Sequence, residues 1–292
     1  MCIIILKKNN GKIMLIKNRD RNYKPKIQII HEIRNGIEIA YIRDMDSEWC
    51  EGLNECGVGI VNAALEIEYD ENPLSSDNIN RIRSKEKYLN ALAKSNPIEI
   101  IDNVFDRNFY TDISLQGHTL IASPKFSLHL ESNAIVKPSA NILSDDTYVL
   151  TNHGVNLKES GYLSGFSLVS SILRQKIADY ELKNNEINEP DDIFKLLNKN
   201  YSDLNIDFHT YRNNKKNLWT TGQILLNLTD KILMYQYDIE NGYFQGIVTN
   251  LPEEYEPKIK IVIKDTKKDT NNCNSPIVKE EIDQIIEKYT KK

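Results

Sequence analysis

The sequence predicts an α+β layered domain in which two β-sheets lie between outer helices. Three observations predict it. Two Asn-Gly pairs, Asn10-Gly11 and Asn35-Gly36, each separate two β-rich runs, and Asn-Gly in that setting is the strongest short signal for a hairpin. Gly57 to Glu66 is small or apolar at almost every position, as in a strand covered on both faces. The patterning then passes from strands to helices, to strands, to helices and back to strands, an order that suits segregated layers.

Taken in order, strands are expected over residues 2 to 7 and 12 to 17, then over Lys26 to Arg34 and Ile37 to Arg43. Two helices should follow between Asp77 and Phe105, broken at Pro97, because proline cannot continue a helix from within. Strands return between His118 and Asn152, and a long helix is expected over 161 to 183. A second helix opens at Glu189 with Pro190 and acidic residues in its first turn, which suit the orphan N–H groups and the dipole there. The last β block lies between Asn217 and Leu251, with turns at Thr229-Asp230 and Asn241-Gly242. Residues 1–258 are read as one domain. Residues 259–292 are read as a linker and an amphipathic helix capped by Ser275 and Pro276, with Ile282, Ile285, Ile286 and Tyr289 on one face.

A chain of 292 residues buries enough apolar surface to need no covalent staples. Its net charge of -5 is spread among interleaved lysines and acids, which argues against a nucleic-acid partner. The apolar run ending at Leu6 is far too short for a membrane span, and the protein is expected to be cytoplasmic. Cys2, Cys50, Cys56 and Cys273 show no C-x-x-C spacing and the five histidines are dispersed, so neither a zinc site, nor another cofactor, nor a disulfide framework is expected. The oligomeric state stays open, a homo-oligomer included.

Cys2 sits where removal of the initiator methionine would expose it. One residue would then carry a thiol with a pKa near ~8.5 and an α-amine near ~7.7 to 8.0, a nucleophile and a base together. By position alone Cys2 reads as a small apolar residue starting a buried strand. Its company changes that reading, because the turn at Asn10-Gly11 brings Lys17, Asn18, Arg19 and Asp20 back beside it.

Cys2, "KNRD" at 17 to 20, "EGLNECGVGIVNAAL" at 51 to 65, "LTNHG" at 150 to 154 and "GYLSGFSLVSSILR" at 161 to 174 occur in one order. Together they resemble the linear-amide branch of the N-terminal-nucleophile hydrolases, which holds the penicillin acyltransferase-type enzymes and is related to choloylglycine hydrolases. The resemblance runs from residue 1 to about residue 255. It implies a four-layer αββα sandwich and a small-molecule acyl amide as substrate. It also implies an N-terminal cysteine that cleaves a linear, non-peptide C–N bond through a thioester, by hydrolysis or acyl transfer.

Residue by residue, the resemblance makes Cys2 the nucleophile and sets Asp20 beside its amine. It makes Asn152 an oxyanion donor and pairs Arg174 with Asp20. Asn62 is a candidate pocket or oxyanion residue. Lys17 stands where choloylglycine hydrolases commonly carry arginine, which keeps the charge but loses the planar fork that grips a carboxylate. Arg19 is a weak substitute, since strand alternation sends it to the face opposite Asp20. His153 and His209 are expected to be structural or to line the substrate site. A binding protein that keeps the fold without catalysis is the alternative that Lys17 encourages.

Overall fold

The computed structural model describes residues 2–65, 87–105, 117–132, 139–156, 165–205, 208–212, 218–237, 258–262 and 279–290. Asn10 and Gly11 have φ of 49° and 74°, and Asn35 and Gly36 have 53° and 77°. These are the left-handed pairs that a two-residue type I′ turn requires, and both predicted hairpins form. The first joins β1 (Cys2–Asn9) to β2 (Lys12–Arg21), and the second joins β3 (Ile27–Arg34) to β4 (Ile37–Asp44).

β2 is longer than its apolar run predicts. Lys17 to Arg19 are paired on one side with β1 and on the other with β11 (Trp219–Asn227), and Asp20 and Arg21 continue against β11 alone. Neighbouring strands satisfy the backbone there, so polar side chains do not end the strand. β10 (Thr147–Leu150), β12 (Ile232–Tyr237) and β13 (Lys258–Val262) complete a six-stranded sheet in the order β10-β1-β2-β11-β12-β13. A second sheet of seven strands runs from β3 and β4 through β5 (Cys50–Asn54), β6 (Gly59–Ala64), β7 (Gly117–Ala122), β8 (Ser127–Ser132) and β9 (Ser139–Ile142). Neighbouring strands in both sheets are antiparallel.

Alternation along each strand divides the core into three. Cys2, Ile4, Leu6 and Leu15 meet Ala40, Ile42, Leu53, Val61 and Leu120 between the sheets. Ile3, Ile5, Met14 and Ile16 face the other way, against α2 (Gly165–Asn184) and α3 (Pro190–Leu197). Behind the second sheet, Ile60, Ile121 and Leu128 pack on the helical residues 87–92, on α1 (Pro97–Phe105) and on Ile285 of α4 (Lys279–Thr290). The result is helix, sheet, sheet, helix. Ile3, Ile4, Ile5 and Leu6 are wholly buried, and each contributes roughly 1.5–3 kcal/mol by leaving water.

Several sequence expectations need adjustment. The helix expected from Asp77 is described only from residue 87, and the caps at Ser275 and Pro276 and the turn at Asn241-Gly242 lie outside the described residues. β5, β9 and β13 are strands that the pattern did not predict. Glu189 and Asp192 form a capping box around Pro190, as the acidic first turn suggested. Cys56 is disulfide-bonded, a correction to a chain expected to lack such bonds, whereas Cys2 and Cys50 are free thiols. Among the described residues no helix is long and apolar enough to cross a membrane.

Gly52 of β5 tests the tightness of the second sheet. A Cβ there would lie 2.4 Å from the Ala40 carbonyl oxygen and 2.5 Å from Tyr41 Cβ, and backbone cannot yield cheaply. Gly52→Ala is expected to lower the unfolding free energy by roughly 1–3 kcal/mol, read from denaturant midpoints; an unchanged midpoint would refute this packing.

Candidate active site

The register of the first hairpin sets Cys2 opposite Arg19 and Ile4 opposite Lys17. Directly opposed residues of an antiparallel pair share a face, so Cys2, Lys17, Arg19 and Arg21 all project between the sheets. Asn18 and Asp20 project toward α2. The expected separation of Arg19 from Asp20 is therefore observed, and it splits the site into an inner and an outer half.

The inner half is a buried ionic network. Glu51 of β5 accepts from both Lys17 Nζ and Arg19 Nη2. Asp44, at the end of β4, lies 3.1 Å from Arg21 Nε and 3.4 Å from Arg19 Nη1, and also accepts from Tyr23 Oη at 3.1 Å. Arg21 Nη1 donates to the Asp20 carbonyl at 2.9 Å and points at Cys2 Sγ at 3.5 Å. The guanidinium beside the thiol thus comes from position 21, while Lys17 binds Glu51 and donates to Asn62 Oδ1 at 3.1 Å. Burial alone would raise the Cys2 thiol pKa, but the positive charges of Lys17 and Arg21 outweigh it and leave the thiol below its ordinary value. Lys17 is itself lowered, first by burial, with Glu51 and Cys2 opposing.

The outer half holds the main chain of Cys2. Cys2 N donates to Asn152 Oδ1 at 2.9 Å, and Arg174 Nη2 donates to the same oxygen at 3.1 Å. Arg174 Nη1 is 3.5 Å from Asp20 Oδ2, which Arg212 Nη1 approaches at 3.8 Å, and Thr220 Oγ1 donates to Asp20 Oδ1 at 2.8 Å. Asp20 therefore reaches the Cys2 nitrogen through Arg174 and Asn152. Arg174, which in isolation reads as a surface helix residue, is 0% exposed. Asn152 Nδ2 donates to the Ala64 carbonyl at 2.7 Å, and the amide has a second hydrogen beyond that bond. The loop carrying Asn152 is fixed by Ser171 of α2, whose hydroxyl accepts from Asn152 N at 3.0 Å.

A cavity of about 430 Å³ opens over Cys2. Lys17, Asn62 and Ala64 line it with Arg21, Tyr23, Asp46, Ser47 and Trp49, giving one aromatic wall and one charged floor. Asn62 is further held by its Nδ2 bond to the Cys50 carbonyl at 3.1 Å. His153 contacts Thr151 and Ser171 at 3.0 and 2.9 Å, and burial, then His118 and Arg174, hold its pKa at about 4. It is neutral at neutral pH and cannot pair with a thiolate. His209 meets the Tyr201 carbonyl at 3.1 Å, away from Cys2. Asn54 bonds the Leu92 and Lys94 carbonyls, both at 2.9 Å, a structural duty.

Sequence reasoning missed Arg21, Asp44, Glu51 and Arg212. A signal existed for Arg21, since Lys17, Arg19 and Arg21 step along one strand face at a period of two. Glu51 opens a quoted segment yet carries no mark of its partners, which come from a different strand.

Comparison with known proteins bears on the fold. The mutant C2A conjugated bile acid hydrolase from Clostridium perfringens superposes with a TM-score of 0.51 at 14% identity, over 88% of this chain and 98% of that one. Another variant of that hydrolase gives 0.49 at 15%, over 81% and 89%. Penicillin V acylase from Agrobacterium tumefaciens gives 0.48 at 13%, over 82% and 83%. The chain has the N-terminal-nucleophile hydrolase fold. No protein-family model matches the sequence, and no curated protein matches it significantly.

Two measurements probe this electrostatic frame. Arg21→Gln should move the pH midpoint of Cys2 alkylation upward, because a nearby guanidinium favours thiolate; an unmoved midpoint would remove Arg21 from the site's electrostatics. Burial raises the Asp44 pKa, but Arg19, Arg21 and the bonds from Ser47 hold it at about 2. Its folded value is depressed, so its stabilisation is present above the unfolded value near ~4 and is lost as pH falls toward 2. The stability gap between the native chain and Asp44→Asn, on the order of 2 kcal/mol at neutral pH, should close across that interval in denaturant titrations.

Proposed function

We propose that this protein is an N-terminal cysteine amidohydrolase or acyltransferase that cleaves a linear, non-peptide C–N bond of a small acyl amide. The observation that carries the reading is the convergence on Cys2. Its thiol lies on a cavity floor beside Arg21, and its nitrogen is bound by Asn152, which Arg174 and Asp20 hold.

Removal of Met1 would turn the Cys2 nitrogen into an α-amine. The thiol gives its proton to that amine while Sγ bonds the amide carbonyl carbon, and the carbonyl oxygen takes up the negative charge. Asn152 supplies a non-titrating donor to this oxyanion, with the amide hydrogen not used on Ala64. The C–N bond breaks as the leaving amine receives the proton from the α-ammonium. Water or a second amine then attacks the thioester carbon and gives a proton to the α-amine, the C–S bond breaks with Cys2 leaving as thiolate, and the α-ammonium returns the proton to the sulfur. Asn152 Oδ1 and Arg174 keep the amine oriented, and Asp20 holds Arg174 in place. Lys17 and Asn62 act at the substrate wall.

The cavity size and its aromatic side, Tyr23 and Trp49, support an acyl group with flat or apolar character. Incubation with a small library of acyl amides, followed by intact mass spectrometry, is expected to show a chain lacking Met1 and carrying one acyl group on Cys2. Cys2→Ala should abolish the adduct. Retention of Met1 on correctly processed protein, or acylation that persists in Cys2→Ala, would exclude the mechanism. A selective chloromethyl or acyl probe at neutral pH separates catalysis from mere binding, since a binding protein has no activated thiol to label.

A further inference from the structure

A second cluster lies between the sheets, outside the Cys2 cavity. His118 of β7 stands directly opposite Glu131 of β8, and His129 lies two residues before Glu131 on the same strand face. All three side chains are 0% exposed, and their nearest ligand atoms lie within 4.8 Å of one another. Two imidazoles and a carboxylate buried at this spacing form a donor set for a divalent ion such as zinc.

What lies behind each donor argues further than the donors themselves. His118 Nε2 donates to the His153 carbonyl at 2.9 Å, so its Nδ1 carries the lone pair and faces His129 Nε2 at 2.9 Å. His129 Nδ1 lies 3.2 Å from Tyr148 Oη. A hydroxyl can donate or accept, so His129 can move its proton to Nδ1 and free Nε2 for a metal without losing a partner. Glu131 receives Val155 N at 3.0 Å and Asn156 N at 2.8 Å. Backing of each ligand by a carbonyl, a hydroxyl or an N–H is the arrangement that orients metal ligands. Two nitrogens each about 2.0–2.1 Å from one tetrahedral ion stand roughly 3.4 Å apart, so the imidazoles need to part by only a few tenths of an ångström.

We propose that His118, His129 and Glu131 bind one divalent metal ion of the zinc type, with the fourth position open to water. The ion would fasten the loop of residues 151–156, which carries Asn152, to the second sheet. The absence of a cysteine signature does not bear on it, because the ligands are imidazole and carboxylate.

The test uses the full chain, stripped with a chelator, loaded with Co²⁺ or Zn²⁺ and passed through a desalting column. One retained ion per chain is expected, with visible cobalt bands, no thiolate-to-cobalt charge-transfer band, and a raised thermal midpoint. His129→Gln and Glu131→Gln should each release the ion, while Cys2→Ala should keep it. No retained ion overturns the proposal, as does retention unchanged in both variants. Should the variants fail to fold, X-ray absorption of the zinc-loaded native chain decides: two imidazoles in a nitrogen and oxygen shell support the site, and sulfur ligation or the lack of imidazole scattering overturns it. None of these readouts depends on the activity proposed for Cys2.

Discussion

The register of β1 against β2 governs this molecule. In a strand, successive side chains lie on opposite faces, and a slip of one residue exchanges the whole set. With Cys2 opposite Arg19, the thiol shares an interior with Lys17 and Arg21, and Asp20 is delivered to the helix side. The type I′ turn at Asn10-Gly11 enforces that register, and β11 locks it from the other edge of β2 through the Thr220–Asp20 pair. The irregularity in β11 between Thr220 and Gly222 lets Thr220 hold Asp20 while Thr221 bonds the Arg19 carbonyl at 3.0 Å.

The two halves of the site meet at the main chain of residue 2 and where Arg21 Nη1 reaches the Asp20 carbonyl. The inner half acts on the thiol through charge, and the outer half acts on the nitrogen through directed hydrogen bonds. The side chains of the two halves lie on opposite faces of the sheet, so the nitrogen and the thiol of one residue can be tuned by different neighbours. This division also bears on Lys17. The fork that lysine cannot provide is present in Arg21, whose planar group meets Asp44, the Asp20 carbonyl and the thiol together.

Much of this was legible where local chemistry decides structure. The Asn-Gly turns, the alternating runs and the Pro190 helix start all carry their signal within a few residues. β5 was not legible, because "CEGLN" is poor in β-formers and exists as a strand through its neighbours β4 and β6. β9, with four residues, is too short to show a period. The pairing of Arg174 with Asp20 came from family resemblance, since nothing in their spacing of more than a hundred residues announces it. The buried histidines were unreadable for a similar reason: His129 and Glu131 alternate visibly, but placing His118 opposite them requires the register of the hairpin between β7 and β8.

In the inner half Lys17, Arg19 and Arg21 are set against Glu51 and Asp44, and the Cys2 thiol lies within their field. In so dry a place a charge is costly unless a partner meets it. The thiol of Cys2 therefore belongs to the electrical structure of the core, and a change at the sulfur is felt by Lys17 and Arg21 and, through them, by Glu51 and Asp44.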